Sequence, residues 1–159
     1  MWFLIRLIFV TLAVPLMFCG TAAADPIPCK DISASDGDTV VARDYRWRLV
    51  GCDTPEVSSR WRRVSAQERK LGRAATAKLK GLLKNAEKCD LAEVRCSCPD
   101  KDIGTDKCNH GRKCGVLTTD DKNVCISLIN EGLAQPFVCG TYKCPPMPKW
   151  DEIIKNRQP

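Results

Sequence analysis

The sequence predicts a small, disulfide-rich α+β domain, mainly β. Three observations carry that class. Short β-branched and aromatic runs are punctuated by Asp, Gly and Asn. One long and one short amphipathic stretch interrupt them, in the order strands, helix, strands, helix. Ten cysteines follow an apolar leader, a density that marks a crosslinked exported domain.

The leader comes first. Leu7 to Phe18 carries no charge, Arg6 precedes it, and "CGTAAADP" follows with Ala22 and Ala24 in a small-x-small arrangement. A run of twelve residues is short of the ~20 that span a bilayer. Residues 1–24 are therefore expected to be a cleaved signal peptide and residues 25–159 one domain with a cysteine-rich tail. The alternative is an uncleaved anchor from Leu7 into Ala24. A lipoprotein would need a small residue where Phe18 precedes Cys19. The expectation is a periplasmic or secreted monomer with no stable membrane association after cleavage.

Cleavage after Ala24 leaves 135 residues, enough for one core. It also leaves 24 basic against 19 acidic side chains, net +5. That excess favours a polyanionic partner, although a basic face is ordinarily just solvated.

From Lys30 to Gly51 the pattern is β: "DTVVA", a turn at Arg43-Asp44, then "YRWRLV" with Trp47 and Leu49 alternating, which suggests a hairpin. A helix follows. Ser65 with Glu68 three residues on matches a capping box, and Leu71, Ala75, Leu79, Leu82 and Ala86 form one apolar stripe. Arg69, Arg73, Lys80 and Lys84 fall on its other face, solvated or turned toward an anion. "LAEVRC", Leu91 to Cys96, predicts a third strand. "GVLTT" and "NVC" around Asp120-Asp121 predict a second hairpin, and Val124, Leu128 and Ile129 a short helix stopped at Gly132. The stretch Pro136 to Pro148 holds four prolines and two cysteines, so it should be irregular and stapled, with a last helical turn or two from Trp150 to Asn156.

Spacing does not give cysteine connectivity. Proximity suggests Cys108 with Cys114 around Arg112, and Cys139 with Cys144. Zinc is the rival to disulfides, since Cys96, Cys98, Cys108 and Cys114 could supply four thiolates, although they lack the paired C-x2-C spacing of common zinc modules.

Two acidic clusters stand beside apolar strands: "SDGDTVV" with Asp36 and Asp38, and "LVGCDTPEVS" with Asp53 and Glu56. Asp, Gly and Pro are also ordinary turn residues, so composition leaves chemistry and turn-making open. If the two strands are neighbours, Asp38 and Asp53 converge. Their repulsion would then be relieved by a hard cation such as calcium or magnesium, with Thr54 able to add a backbone carbonyl. His110 is the only histidine, which leaves no histidine pair for zinc.

Taken together, "DGDTV", "WRLVGCDTPE", "HGR" and "LINEGLA" resemble the staphylococcal nuclease (thermonuclease) family in order and approximate spacing, over roughly Lys30 to Phe137. The resemblance implies a five-stranded OB-fold barrel with two to three packed helices. It implies an exported, calcium-dependent nuclease that hydrolyses phosphodiesters of DNA and RNA with little sequence preference, leaving 3′-phosphate ends. Carried over by motif, the calcium ligands fall on Asp38, Asp53 and the Thr54 carbonyl, with Asp36 acting through water. Glu56 falls where the attacking water is activated, and Arg48 and Arg112 fall where two arginines grip the scissile phosphate. The alternative class is a non-catalytic OB module of the cell envelope that binds nucleic acid.

The chain departs from that family pattern in three places. The stretch after Glu56, "VSSRWRRVSAQ", is long and basic. Gln135-Pro136-Phe137 stands where the family offers tyrosines, and Phe137 or Tyr142 could substitute in base stacking. Cys52 replaces an aliphatic residue beside Asp53 and is expected as a buried thiol.

Overall fold

The computed structural model describes residues 26–157, so the signal-peptide expectation lies outside the described residues. Among the described residues eight strands and three helices follow in the expected order, with one exception. A short strand, Gln135–Phe137, stands after the second helix, where the tail was expected to be irregular from Pro136 on. Strands β1 (Ser33–Ala34), β2 (Thr39–Ala42) and β3 (Tyr45–Leu49) form an antiparallel meander. The β2–β3 turn places Arg43 and Asp44 at φ 51 and 63, the double positive-φ geometry that matches a hairpin's twist. Trp47 and Leu49 point into the core, 1% exposed each, and Arg48 between them faces the other way.

Strand β4 (Gly51–Asp53) leaves this sheet and pairs with β8 (Gln135–Phe137). Strand β5 (Cys89–Val94) starts two residues before the expected Leu91 and pairs along its length with β6 (Lys113–Thr119). Strand β6 also runs parallel to β3 and turns through Asp120-Asp121 into β7 (Lys122–Asn123). The main sheet runs β1-β2-β3-β6-β5, a curled half-barrel.

Helix α1 (Ala66–Asn85) packs under this sheet. Its buried residues are Glu68, Gly72, Ala75, Leu79 and Leu83, so the apolar stripe is rotated from the expected one, and Leu71 and Leu82 lie at its edges. The reason is local. The first half of α1 packs on backbone rather than on side chains: a Cβ on Gly72 would come within 2.5 Å of the Pro55 carbonyl oxygen. Helix α2 (Val124–Asn130) is capped by Asn123, whose side chain accepts from the Ile126 amide at 3.1 Å. It ends, as expected, at Gly132 with φ +70. Helix α3 (Trp150–Lys155) closes the described chain.

All ten cysteines of the described residues are paired: Cys29–Cys89, Cys52–Cys125, Cys96–Cys114, Cys98–Cys108 and Cys139–Cys144. Only the last is a pairing that proximity suggested. Cys108 reaches back to Cys98 across a short segment that holds the 3₁₀ turn Asp100–Asp102, and a second turn, Asn109–Gly111, follows it. Cys114 lies on β6 opposite Val94 on β5, next to Cys96. Cys52 is not a free thiol; it joins β4 to α2 across 73 residues. The four thiolates of the zinc alternative are thus consumed in disulfides.

Candidate functional site

Asp38 and Asp53 come from neighbouring strand ends and both are buried. The hydrogen bond from the Leu49 amide to the Asp38 carbonyl, 2.8 Å, sets β3 and its continuation beside the β1–β2 turn. That turn must lie very close to Thr54. A Cβ on Gly37 would meet Thr54 Oγ1 at 2.6 Å and the Ala75 Cβ at 2.8 Å, so only glycine fits there.

The two carboxylates converge on one cation, the guanidinium of Arg48. Arg48 Nη2 is 2.7 Å from Asp53 Oδ1 and Nη1 pairs with Asp38 Oδ1. The remaining oxygens are also held. Asp38 Oδ2 accepts from the Thr54 amide at 2.8 Å and from its hydroxyl at 2.9 Å. Asp53 Oδ2 accepts from the Trp150 indole N–H at 2.8 Å. Asp36 does not join them; its Oδ1 accepts from the Asp38 amide at 3.1 Å and shapes the turn. Among the described residues no group of three or more His, Cys, Asp or Glu side chains is placed to hold a metal. What the site offers a cation is therefore a pair of carboxylates, hard oxygens of the kind calcium takes. The guanidinium already held between them shows that they can share one positive charge.

Arg112 sits across from this pair on the disulfide-stapled segment. Its Nε donates to the Asn109 carbonyl at 3.1 Å, Nη2 to Asn109 Oδ1 at 2.9 Å and Nη1 to Thr39 Oγ1 at 3.3 Å. All three acceptors are neutral. Asn109, His110 and Gly111 form the tight turn before it with φ of 51, 56 and 72, which aims the arginine back toward β2.

Glu56 lies just past β4, with its side chain at the surface of the cleft. Its amide donates to Glu68 Oε1 at 3.1 Å. Glu68 is a residue whose importance the sequence did not reveal. Ser65 caps α1 as expected, accepting from the Glu68 amide at 3.1 Å, but the Glu68 carboxylate does not complete a capping box. It is fully buried and grips Arg62 in two hydrogen bonds of 2.7 and 2.5 Å. One glutamate thus ties both ends of the loop between Glu56 and α1. The role of Trp150 is not legible in the sequence either, since nothing in the spacing of residues 97 apart predicts its contact with Asp53.

The electrostatics follow from burial and neighbours. Burial would weaken the charge of Arg48, but Asp38 and Asp53 outweigh it, and its pKa is raised. Arg112 is shifted down, by burial first and by Arg48 second. Burial raises Asp36 and Asp53, and it raises Glu56 with help from Asp38, Asp36 and Asp53.

Asp36, Asp38, Arg48, Asp53, Glu56 and Arg112 all line one cleft of about 2120 Å³. Small-molecule sites occupy roughly 300–1,000 Å³, so this cleft has the scale of a polymer groove. A separate hollow of about 680 Å³ behind the loop, lined by Arg62, Arg63, Arg69 and Asp151, contains none of these six. No protein-family model matches this chain, and no curated protein matches it.

Proposed function

We propose that the protein is an exported, calcium-dependent nuclease built on an OB-type barrel, hydrolysing phosphodiester bonds of DNA and RNA with little sequence preference. The observation that carries this reading is the meeting of two buried carboxylates with two arginines in the lining of one polymer-sized cleft. Five disulfides support export, and no helix of the described residues is long and apolar enough to cross a membrane.

Arg112, bonded only to neutral acceptors, keeps its charge available to an incoming phosphate. Its planar fork suits two phosphate oxygens, and Arg48 offers the same fork once an anion competes with its carboxylates. Calcium held by Asp38 and Asp53, with the Thr54 carbonyl as the third ligand of the resemblance and Asp36 acting through water, would neutralise charge on the same oxygens when bound. Glu56 orients a water toward phosphorus and takes its proton. The water oxygen bonds to phosphorus, the bond to the 5′-oxygen breaks, that oxygen leaves as a hydroxyl protonated from solvent, and a 3′-phosphate end remains. The two guanidiniums stabilise the charge that builds on the phosphoryl oxygens.

The test is cleavage of plasmid DNA by the oxidised protein with calcium or with a calcium-selective chelator. Nicking that needs calcium supports the proposal, and equal cleavage in both overturns its metal dependence. The alternative, a binding module without turnover, is favoured by one feature: Arg48 is already neutralised from within. Strand binding with no cleavage under any metal would establish it.

A further inference from the structure

The loop after Glu56 carries "SSRWRR", Ser58 to Arg63, and the chemistry above makes no use of it. Trp61 at its tip is 86% exposed. An exposed apolar side chain standing alone is ordinary. Trp61 does not stand alone. It lines the same cleft as Arg48 and Arg112, and Arg60, Arg73, Lys80 and Arg46 line it too. The loop that presents it is also fixed. Buried Glu68 grips Arg62, the next residue, and binds the Glu56 amide at the other end, while Ser59 Oγ accepts from the Trp61 amide at 3.1 Å. An indole held in water on an anchored loop, among cations, on the wall of a groove has the form of a stacking platform for unpaired bases.

We propose that Trp61 is a base-stacking subsite that grips an unpaired stretch of the nucleic-acid substrate, with Arg60, Arg73 and Lys80 tracking the phosphates. In a duplex the base faces are covered by their neighbours and cannot reach an indole; in a single strand they can. The inference deepens the nuclease reading and rests on it for the word substrate, but the binding it claims is measurable without turnover.

The experiment uses the whole oxidised mature chain in chelator, so that no strand is cut. Fluorescence anisotropy follows three labelled probes of equal length: oligothymidine, an abasic strand with the same backbone, and a duplex. Trp61→Ala should weaken oligothymidine binding about 5- to 150-fold, the loss of one stacked base. Trp61→Phe should restore most of it. The abasic strand and the duplex should bind both variants as they bind the unmutated chain. Unchanged oligothymidine affinity in Trp61→Ala overturns the proposal, and so does an equal loss on the abasic strand, which would make Trp61 a structural residue. Trp61-dependent binding to anionic vesicles, with strand binding unmoved, overturns it in favour of a membrane surface. Adding calcium separates the two claims. Cleavage that is normal in Trp61→Ala, with unmoved strand affinity, removes the subsite and leaves the nuclease. Trp61-dependent strand binding without cleavage keeps the subsite and removes the nuclease.

Discussion

Arg48 and Arg112 face the same cleft, yet they are held by opposite means. Arg48 stands on a central strand, paired on one side with β2 and on the other with β6. Two buried carboxylates neutralise its charge. Arg112 stands at the end of a segment with almost no regular structure, between Cys96–Cys114 and Cys98–Cys108, and its partners are neutral. On the floor, sheet register and ion pairing fix geometry. On the wall, covalent crosslinks do that work because hydrogen-bonded ladders are absent. The consequence is electrostatic: the floor is compensated from within, and the wall keeps charge available for an anion.

The largest effect belongs to a residue on neither support. Glu56→Gln keeps the shape and removes the basic oxygen, so cleavage should fall about 10²–10⁴-fold with strand affinity roughly retained. Stability should move the other way. A carboxyl whose folded-state pKa is raised favours folding at low pH, and that advantage is lost as pH climbs through the carboxylate range. In chelator, the difference in Tm between Glu56→Gln and the unmutated chain should therefore grow in favour of the variant as pH rises. Retained turnover in Glu56→Gln would mean that the base lies elsewhere in the cleft.

The second prediction sharpens the contrast between the arginines. Arg48→Ala and Arg112→Ala should each lower the rate about 10²–10³-fold, the scale for losing one preorganised electrostatic donor. Only Arg48→Ala should also weaken the metal-free fold, by about 3–5 kcal/mol, because it strands two buried carboxylates. Calcium should recover much of that loss. Urea unfolding with and without calcium checks this, and equal destabilisation by both variants would erase the distinction.

A smaller effect is expected from the wall alone. Replacing Cys96 and Cys114 together by serine opens a loop of sequence separation 18, worth about 3 kcal/mol on chain-entropy grounds. Arg112 should then be misplaced with the floor intact. A misplacement near 1 Å costs up to about 10²-fold in rate, while calcium affinity should hold. A fall in calcium affinity would show that wall and floor are not independent.

The sequence revealed what is local. Two hairpin turns, the Ser65 cap, the Asn130–Gly132 helix end and the irregular tail all rest on residues a few positions apart, where turn and capping chemistry decides. Asp38 and Asp53 could be expected to converge only if their strands were neighbours, and the fold brings them together although β4, which carries Asp53, leaves the sheet of β2. Long-range pairing was out of reach. Cys98–Cys108 is nested within Cys96–Cys114 where proximity suggested Cys108–Cys114, since loop spacing does not encode which thiols a fold brings together. Cys52 reads locally as a buried thiol, and only the packing of α2 on β4 gives it a partner. Glu68 reads as a cap because its cap role is local and its grip on Arg62 is tertiary.

The smallest predicted effect concerns the longest-range of these contacts. Trp150 is 2% exposed, and among the described residues its indole N–H is the hydrogen-bond donor that holds Asp53 Oδ2. Helix α3 is tied down beside it, with Asp151 Oδ1 accepting from Ser65 Oγ at 2.5 Å, so the indole is held in place from both sides. Partners that orient a ligand carboxylate typically change metal affinity 10–100-fold when removed. Trp150→Phe keeps an aromatic ring in the core and deletes only the N–H. Calcium affinity should fall about tenfold, the low end of that range, because Arg48 still holds the other oxygen of Asp53. Calorimetric titration should report the loss in the absence of substrate, and the calcium midpoint for cleavage should move by the same factor. The rate at saturating calcium should stay near that of the unmutated chain, since Trp150 touches neither water nor phosphate. An unmoved titration would reduce Trp150 to packing. A lowered rate at saturation would mean that the tail shapes the cleft itself, and the floor would then depend on α3 as well as on its sheet.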